Sequence, residues 1–197
     1  MSGKSGNIYS PQINRIRASL LNGEGMSSLI EEFDEKDLGR SLAFLTTFES
    51  TSAIQKILGK PASDLRILCD VNFSYALTHM IYENIGIPHF TFSKRTKDEF
   101  SLVTNCKGSI KQNSSDKALY EYAQSNDYDV ILSCDKNLSG SNDLCYIANH
   151  HFSNKADQPA IVIIPVGVNK GLDFIKVNGS EIIDTAGKHE NAVIDLT

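Results

Sequence analysis

Leu65-Arg-Ile-Leu-Cys-Asp-Val-Asn-Phe-Ser74 joins a short apolar run to a helical pattern through an acid and an amide. Its apolar run ends in Asp70, and Asn72 follows two residues later. A helical pattern begins there, with Phe73, Ala76, Leu77, Met80 and Ile81 at helix spacing. Asp70 therefore sits where a strand gives way to a helix, and Asn72 or Ser74 is placed to cap that helix. The arrangement returns at Tyr128-Asp-Val-Ile-Leu-Ser-Cys-Asp135-Lys-Asn137, again an apolar run, an Asp, and an Asn at plus two. In an open parallel sheet, ligands bind at the carboxyl ends of the strands. If the two runs are neighbouring parallel strands, both aspartates face one cleft.

Working outward, strand and helix patterns alternate on both sides of these motifs. The helix after Asp70 runs to about Asn84 and Gly86 ends it. Ile87-Pro-His-Phe-Thr-Phe92 reads as a second strand, which Pro88 confines to an edge or to a strand start. Residues 93–100 form a charged loop, and Ser101–Cys106 make a short strand. Gln112-Asn-Ser-Ser-Asp116 is a cluster of capping residues that opens a helix from Lys117 to Gln124. A further helix is expected around Leu144–His150. Pro159-Ala-Ile-Val-Ile-Ile-Pro165 suits a strand buried on both faces of a parallel sheet. Asn178-Gly179 between half-apolar runs predicts a hairpin over 173–184. Beyond it, Ala192-Val-Ile194 is one more apolar patch.

Toward the N-terminus the pattern is all-helical. Residues 1–12 are polar. Ile13–Leu21 suits a helix that Asn22-Gly-Glu-Gly25 ends. Ser27 or Ser28 caps a second helix carrying Leu29, Ile30 and Phe33. Asp37 or Ser41 starts a third, which Gly59 stops. No chemistry is legible here, and packing on the sheet is the expected role. The organisation expected is a helical extension over 1–62, an α/β domain over 63–167, and a C-terminal hairpin and tail over 168–197.

At 197 residues with 41% hydrophobic content the chain can bury a real core. No apolar run approaches the ~20 residues of a membrane span, and the polar N-terminus has no signal-peptide core, so a cytoplasmic protein without membrane contact is expected. Net charge is −5, which argues against a general nucleic-acid coat. Charge is nonetheless uneven. Lys94, Arg95, Lys97, Lys107, Lys111 and Lys117 outnumber Asp98, Glu99 and Asp116, leaving that stretch at +3. Such a segment can hold a phosphate backbone beside an acidic site, though it equally suits a solvated loop. Cys69, Cys106, Cys134 and Cys145 read as buried or half-buried small hydrophobes. With His150 and His151, Cys134 and Cys145 match no standard zinc-pair spacing. There is no Gly-rich phosphate loop and no Gly-x-Ser-x-Gly elbow.

Three carboxylates occupy comparable places. Asp70 and Asp135 follow strands, and Asp116 opens the helix that feeds the Asp135 strand. In a β-α-β unit the crossover helix begins near the carboxyl edge of the sheet, so Asp116 can share the cleft. Crowded carboxylates repel one another unless a cation neutralises them. Hard oxygen donors suit Mg²⁺ or Mn²⁺. Asn72 and Asn137 are neutral oxygen donors. The bland alternative is that each strand-end Asp is a cap or turn residue.

These motifs resemble the PIN-like fold of metal-dependent ribonucleases, in the branch whose first strand ends in Asp-Glu-Asn and whose later strand ends in Asp-Lys-Asp-Phe. Here the first motif reads Asp70-Val71-Asn72 and the last Asp135-Lys136-Asn137-Leu138. The helix-start acid matches Asp116. The likeness covers about residues 65–167 and departs at Val71 and Asn137. It implies a three-layer parallel sheet, with Asp70, Asp116 and Asp135 holding Mg²⁺ or Mn²⁺ and acting in catalysis. Asn72, Lys94, Arg95, Lys136 and Asn137 would contact substrate. The implied activity is endoribonucleolytic cleavage of RNA by a toxin, processing factor or defence component, with a protein partner or inhibitor and a homodimer as further implications. The lost acid at 137 leaves an alternative, a degenerate module that binds protein or RNA without turnover.

Overall fold

The structure is a computed structural model that describes residues 9–61, 64–73, 75–85, 90–92, 103–105, 114–137, 139–153, 161–164 and 193–196. Three helices come first: α1 (Pro11–Leu21), α2 (Met26–Glu32) and α3 (Glu35–Leu58). Strand and helix then alternate as β1 (Ile67–Cys69), α4 (Tyr75–Ile85), β2 (Phe90–Phe92), β3 (Val103–Asn105), α5 (Asp116–Ser125), β4 (Val130–Leu132), α6 (Leu144–Ser153), β5 (Ile161–Ile164) and β6 (Val193–Asp195). The chain is therefore α/β. Its strands form one sheet in the order β3-β2-β1-β4-β5-β6, and every neighbouring pair is parallel.

Local chemistry accounts for the element ends. The Ser10 hydroxyl caps α1, accepting from Ile13 N–H at 3.4 Å, and Pro11 occupies the first turn, where a missing N–H costs nothing. The helix ends in a Schellman turn. Glu24 N–H donates to Ser19 O, Gly23 N–H donates to Leu20 O, and Gly23 takes φ +69°. Two expected caps differ. Gly25, not Ser27 or Ser28, precedes α2, and its cap uses no side chain. Asp34, not Asp37 or Ser41, opens α3, its Oδ1 accepting from Lys36 N–H at 2.9 Å. An Asp at the N-cap satisfies first-turn donors directly, so it wins over serines inside the helix.

Period-2 alternation divides the sheet between two cores. Ile67, Cys69, Val130, Leu132, Ile163 and Ile194 join a cluster with α1, α2, α3 and α4. Leu68, Ile131, Val162 and Ile164 join a second cluster with α5 and α6. Helices thus lie on both faces, which is why the strand runs read as continuously apolar. The N-terminal helices and the sheet share the first core, from Ile13 through Phe44 to Ile163. Ser10 N–H also donates to Asn84 Oδ1 on α4 at 2.8 Å, tying the start of the chain to the sheet's first crossover helix.

Other sequence expectations meet the structure less simply. β2 lies inside the sheet between β1 and β3, so of the two places that Pro88 allowed the edge is excluded and the strand start is left, Pro88 itself falling outside the described residues. The patch at Val193–Asp195, legible only as apolar, is the strand β6 beside β5. Cys134 is exposed, whereas Cys69 and Cys145 are buried. Lys94, Arg95, Cys106 and the 173–184 hairpin fall outside the described residues.

Candidate functional site

From β1 the chain steps outward to β2 and β3, then crosses to β4 on the other side of β1. Strand order reverses between β1 and β4, and such a switch point opens a crevice at the carboxyl edge. Asp70 follows β1 at that point, and Ser133 through Asn137 follow β4.

Asp70 is 8% exposed. Its N–H donates to Leu132 O at 2.8 Å, so it extends the β1–β4 ladder by one residue. Cys69 belongs to the first core, so alternation turns the Asp70 side chain toward the α5–α6 face. Its Oδ1 accepts from Val71 N–H at 2.6 Å, and its Oδ2 accepts from the Ser133 hydroxyl at 2.9 Å. Burial raises the Asp70 pKa. The Ser133 and Val71 hydrogen bonds offset part of the rise, and the charges of Asp116 and Asp135 add to it.

Asp116 stands at the start of α5 behind its N-cap Ser115. Its Oδ2 accepts from Leu144 N–H, the first residue of α6, at 2.9 Å. One carboxylate thus caps a neighbouring helix and fixes α5 against α6. Burial raises its pKa, the Leu144 hydrogen bond offsets part, and Asp135 and Asp143 push it further up. Asp135 Oδ1 accepts from Asn137 N–H at 3.0 Å, forming an Asx turn that aims the carboxylate.

Ser133, fully buried, links the two strand-end acids. Its hydroxyl donates to Asp70 Oδ2 and accepts from Asp135 N–H at 3.1 Å. Asn72 does similar work: its Oδ1 accepts from Cys134 N–H at 2.9 Å, which ties the β1 turn to the β4 turn. Asn72, read with Ser74 as a possible cap for α4, thus joins the two strand ends, and Ser74 falls outside the described residues. Lys136, expected to meet phosphate, has its Nζ 3.9 Å from Asp195 Oδ1.

Sequence reasoning missed Ser133, Asp143 and Asp195. Cys145, buried at the start of α6, reports the last two. Its thiol is pushed up to about 11 by burial and by the charges of Asp135, Asp195, Asp116 and Asp143. Asp195 did carry a signal, since Ala192-Val-Ile-Asp195 repeats the apolar-run-then-Asp pattern of the other strand ends. Ser133 carried none, because nothing local marks a strand-end serine as a bridge.

Among the described residues, no three His, Cys, Asp or Glu side chains converge closely enough to hold an ion by themselves. Mg²⁺ keeps several of its waters and binds through one or two carboxylates. Hard oxygens of like charge near one another fit such a hydrated cation, which would relieve the repulsion on Asp70 and Asp116. No protein family, curated protein or solved structure matches the chain.

Proposed function

We propose that the chain is a PIN-like nuclease with three layers, dependent on Mg²⁺ or Mn²⁺, that hydrolyses phosphodiester bonds in RNA. One observation carries the reading. Asp70 and Asp135 follow the adjacent strands β1 and β4 and are tied through Ser133, and Asp116 at the start of α5 binds the first N–H of α6, so three acids distant in sequence gather at the carboxyl edge beside the strand-order switch. Burying like charges together is costly, and a cation is the simple compensation. The strand order is also that of dinucleotide-binding sheets. The turn after β1, however, carries Asp70 and no glycine where a pyrophosphate would sit, which disfavours that class.

In this reading one or two of Asp70, Asp116 and Asp135 would ligate a hydrated cation and the rest would meet it through its waters, and when bound it would activate water and neutralise charge on the phosphate. Ser133 and the Asn137 N–H keep Asp70 and Asp135 oriented. Asn72 holds the β1 and β4 turns in register. Lys136 and the Lys94–Lys117 segment supply positive charge for the strand. A second reading, a degenerate module that binds RNA or protein without turnover, draws support from the amide at Asn137 and from the internal hydrogen bonds that occupy Asp70 and Asp116.

The test is cleavage of single-stranded and structured RNA with Mn²⁺, Mg²⁺ or EDTA, wild type against Asp70→Asn. Metal-dependent cleavage that falls about 10²–10³-fold in the variant supports the nuclease. No cleavage, or equal cleavage by both proteins, moves the assignment to the binding module.

A further inference from the structure

A second concavity adjoins the acidic edge. It lies between α5 and α6, encloses about 260 Å³, and is lined by Lys117, Glu121, Asn142, Tyr146, His150 and His151. The site acids and this groove share backbone. Asp116 immediately precedes Lys117, and the Leu144 N–H it accepts from lies two residues past Asn142. Ligand pockets for drug-sized molecules run to about 300–1,000 Å³, so this groove is sized for a single ring system.

Its wall is aromatic. Tyr146 and His150, one turn apart on α6, stack with planes 7° apart and centroids 6.2 Å apart. Tyr146 is 43% exposed. His151 packs on the buried ring of Tyr120 at 5.2 Å, which fixes the floor. Across the groove Lys117 Nζ stands 3.9 Å from Glu121 Oε1. A flat stack of two exposed rings presents a π-face to a base, Glu121 offers an acceptor to base N–H groups, and Asn142 offers both donor and acceptor. Lys117 lies nearest the acidic cluster in sequence, where the phosphate of the same nucleotide would be.

We infer that the α5–α6 groove is a nucleobase subsite, in which one base of a single strand stacks on Tyr146 and His150 while its phosphate lies toward Asp116. The inference rests on the nuclease reading for what that phosphate is for, but base binding is measured apart from cleavage.

The experiment is fluorescence anisotropy with labelled eight-nucleotide single strands in EDTA, where no cleavage proceeds. RNA, DNA and an abasic strand of equal charge are compared for wild type, Tyr146→Ala, Tyr146→Phe and His150→Ala. Melting temperatures verify that each variant folds. The expected result is roughly 5- to 150-fold weaker binding for Tyr146→Ala, affinity within about twofold for Tyr146→Phe because the ring remains, and weak binding of the abasic strand by all four. Equal affinity of wild type and both alanine variants overturns the subsite, as does equal binding of abasic and intact strands. If metal-dependent cleavage is absent while the Tyr146 dependence persists, the subsite stands and the nuclease reading falls. If cleavage proceeds while Tyr146→Ala leaves affinity unchanged, the subsite falls and the nuclease reading stands.

Discussion

The two faces of the sheet treat buried polar groups in opposite ways. On the α1–α4 face, α3 buries Thr46, Thr47, Ser50 and Thr51. Each hydroxyl donates to the carbonyl four residues back at 2.8–2.9 Å, so the helix satisfies its own polar atoms. Phe44 and Phe48 stack beside them with centroids 5.9 Å apart. On the α5–α6 face, Asp70 is buried and Asp116 half-buried within reach of other carboxylate charges, and among the described residues Tyr120 Oη and Asn149 Oδ1 are buried without a hydrogen-bond partner. One face is relaxed and the other carries unfavourable burial. Local rules broken without compensation inside a fold mark functional sites. The relaxed face supplies the stability that the acidic face spends.

Deleting an unfavourably buried group on the acidic face should therefore stabilise, whereas deleting a packed or hydrogen-bonded group on either face should destabilise. The largest effect is expected for Phe44→Ala, fully buried in α3, which should lose about 3–5 kcal/mol by urea unfolding. A loss under about 1 kcal/mol would break the comparison, because the helical half would then not be a stabilising core.

Ser133→Ala comes next. It removes a donor to Asp70 and an acceptor for Asp135 N–H, and groups left buried without partners cost about 1–3 kcal/mol. Cleavage should fall with it, since both acids lose their shared tether. Unchanged stability together with unchanged cleavage would remove Ser133 from the site.

Asp70→Asn should move the other way. Asn keeps one acceptor oxygen for Val71 N–H, turns an NH2 donor toward the Ser133 hydroxyl, which can redirect its own proton to Asn72 Oδ1, and removes a buried charge facing Asp116 and Asp135. A gain of about 1 kcal/mol raises Tm by about 2–4 °C in a chain of this length. The pH dependence has a defined sign. The folded-state pKa of Asp70 is raised above its unfolded value, about 3.9. The carboxyl group therefore contributes stability that is fully present below that value and lost as pH rises through the folded pKa. The Tm gap between variant and wild type should open with rising pH and close in acid. A gap that widens toward acid would mean the carboxylate is a net stabiliser. Millimolar Mn²⁺ should also raise the wild-type Tm through a stabilisation of about 1.4 kcal/mol at ten times Kd, and leave Asp70→Asn nearly unmoved.

The smallest contrast compares Tyr120→Phe with Thr47→Val. The first deletes an unpartnered hydroxyl and should be neutral or gain up to about 1 kcal/mol. The second deletes a satisfied one and should lose about 0.5–1.5 kcal/mol. Matching signs in calorimetry would erase the difference between the faces at the level of single hydroxyls.

Much of the α/β alternation was legible because periodicity and punctuation are local. The apolar runs at β1, β4 and β5 and the glycines at 23 and 59 mark elements without reference to anything distant. The caps at Asp34 and Gly25 are not legible because several neighbouring residues, Asp37 or Ser41 and Ser27 or Ser28 among them, can start a helix, and only the final packing selects one. The short β6 was missed since three residues carry too little period to distinguish a strand from an apolar patch.

The alternation of strand and helix, the apolar faces, and the strand ends at Asp70 and Asp135 are written locally in the chain. Those properties depend on neighbours within a turn or a strand. The adjacency of β1 and β4, the Ser133 bridge between Asp70 and Asp135, the capping of α6 by Asp116, and the presence of Asp143 and Asp195 at the acidic edge come from packing alone. Each of these couples residues far apart along the chain. Such pairings follow from which strands share a sheet and which helix covers which face, and hydrogen-bond and Coulomb energies exist only once that packing has brought the groups together.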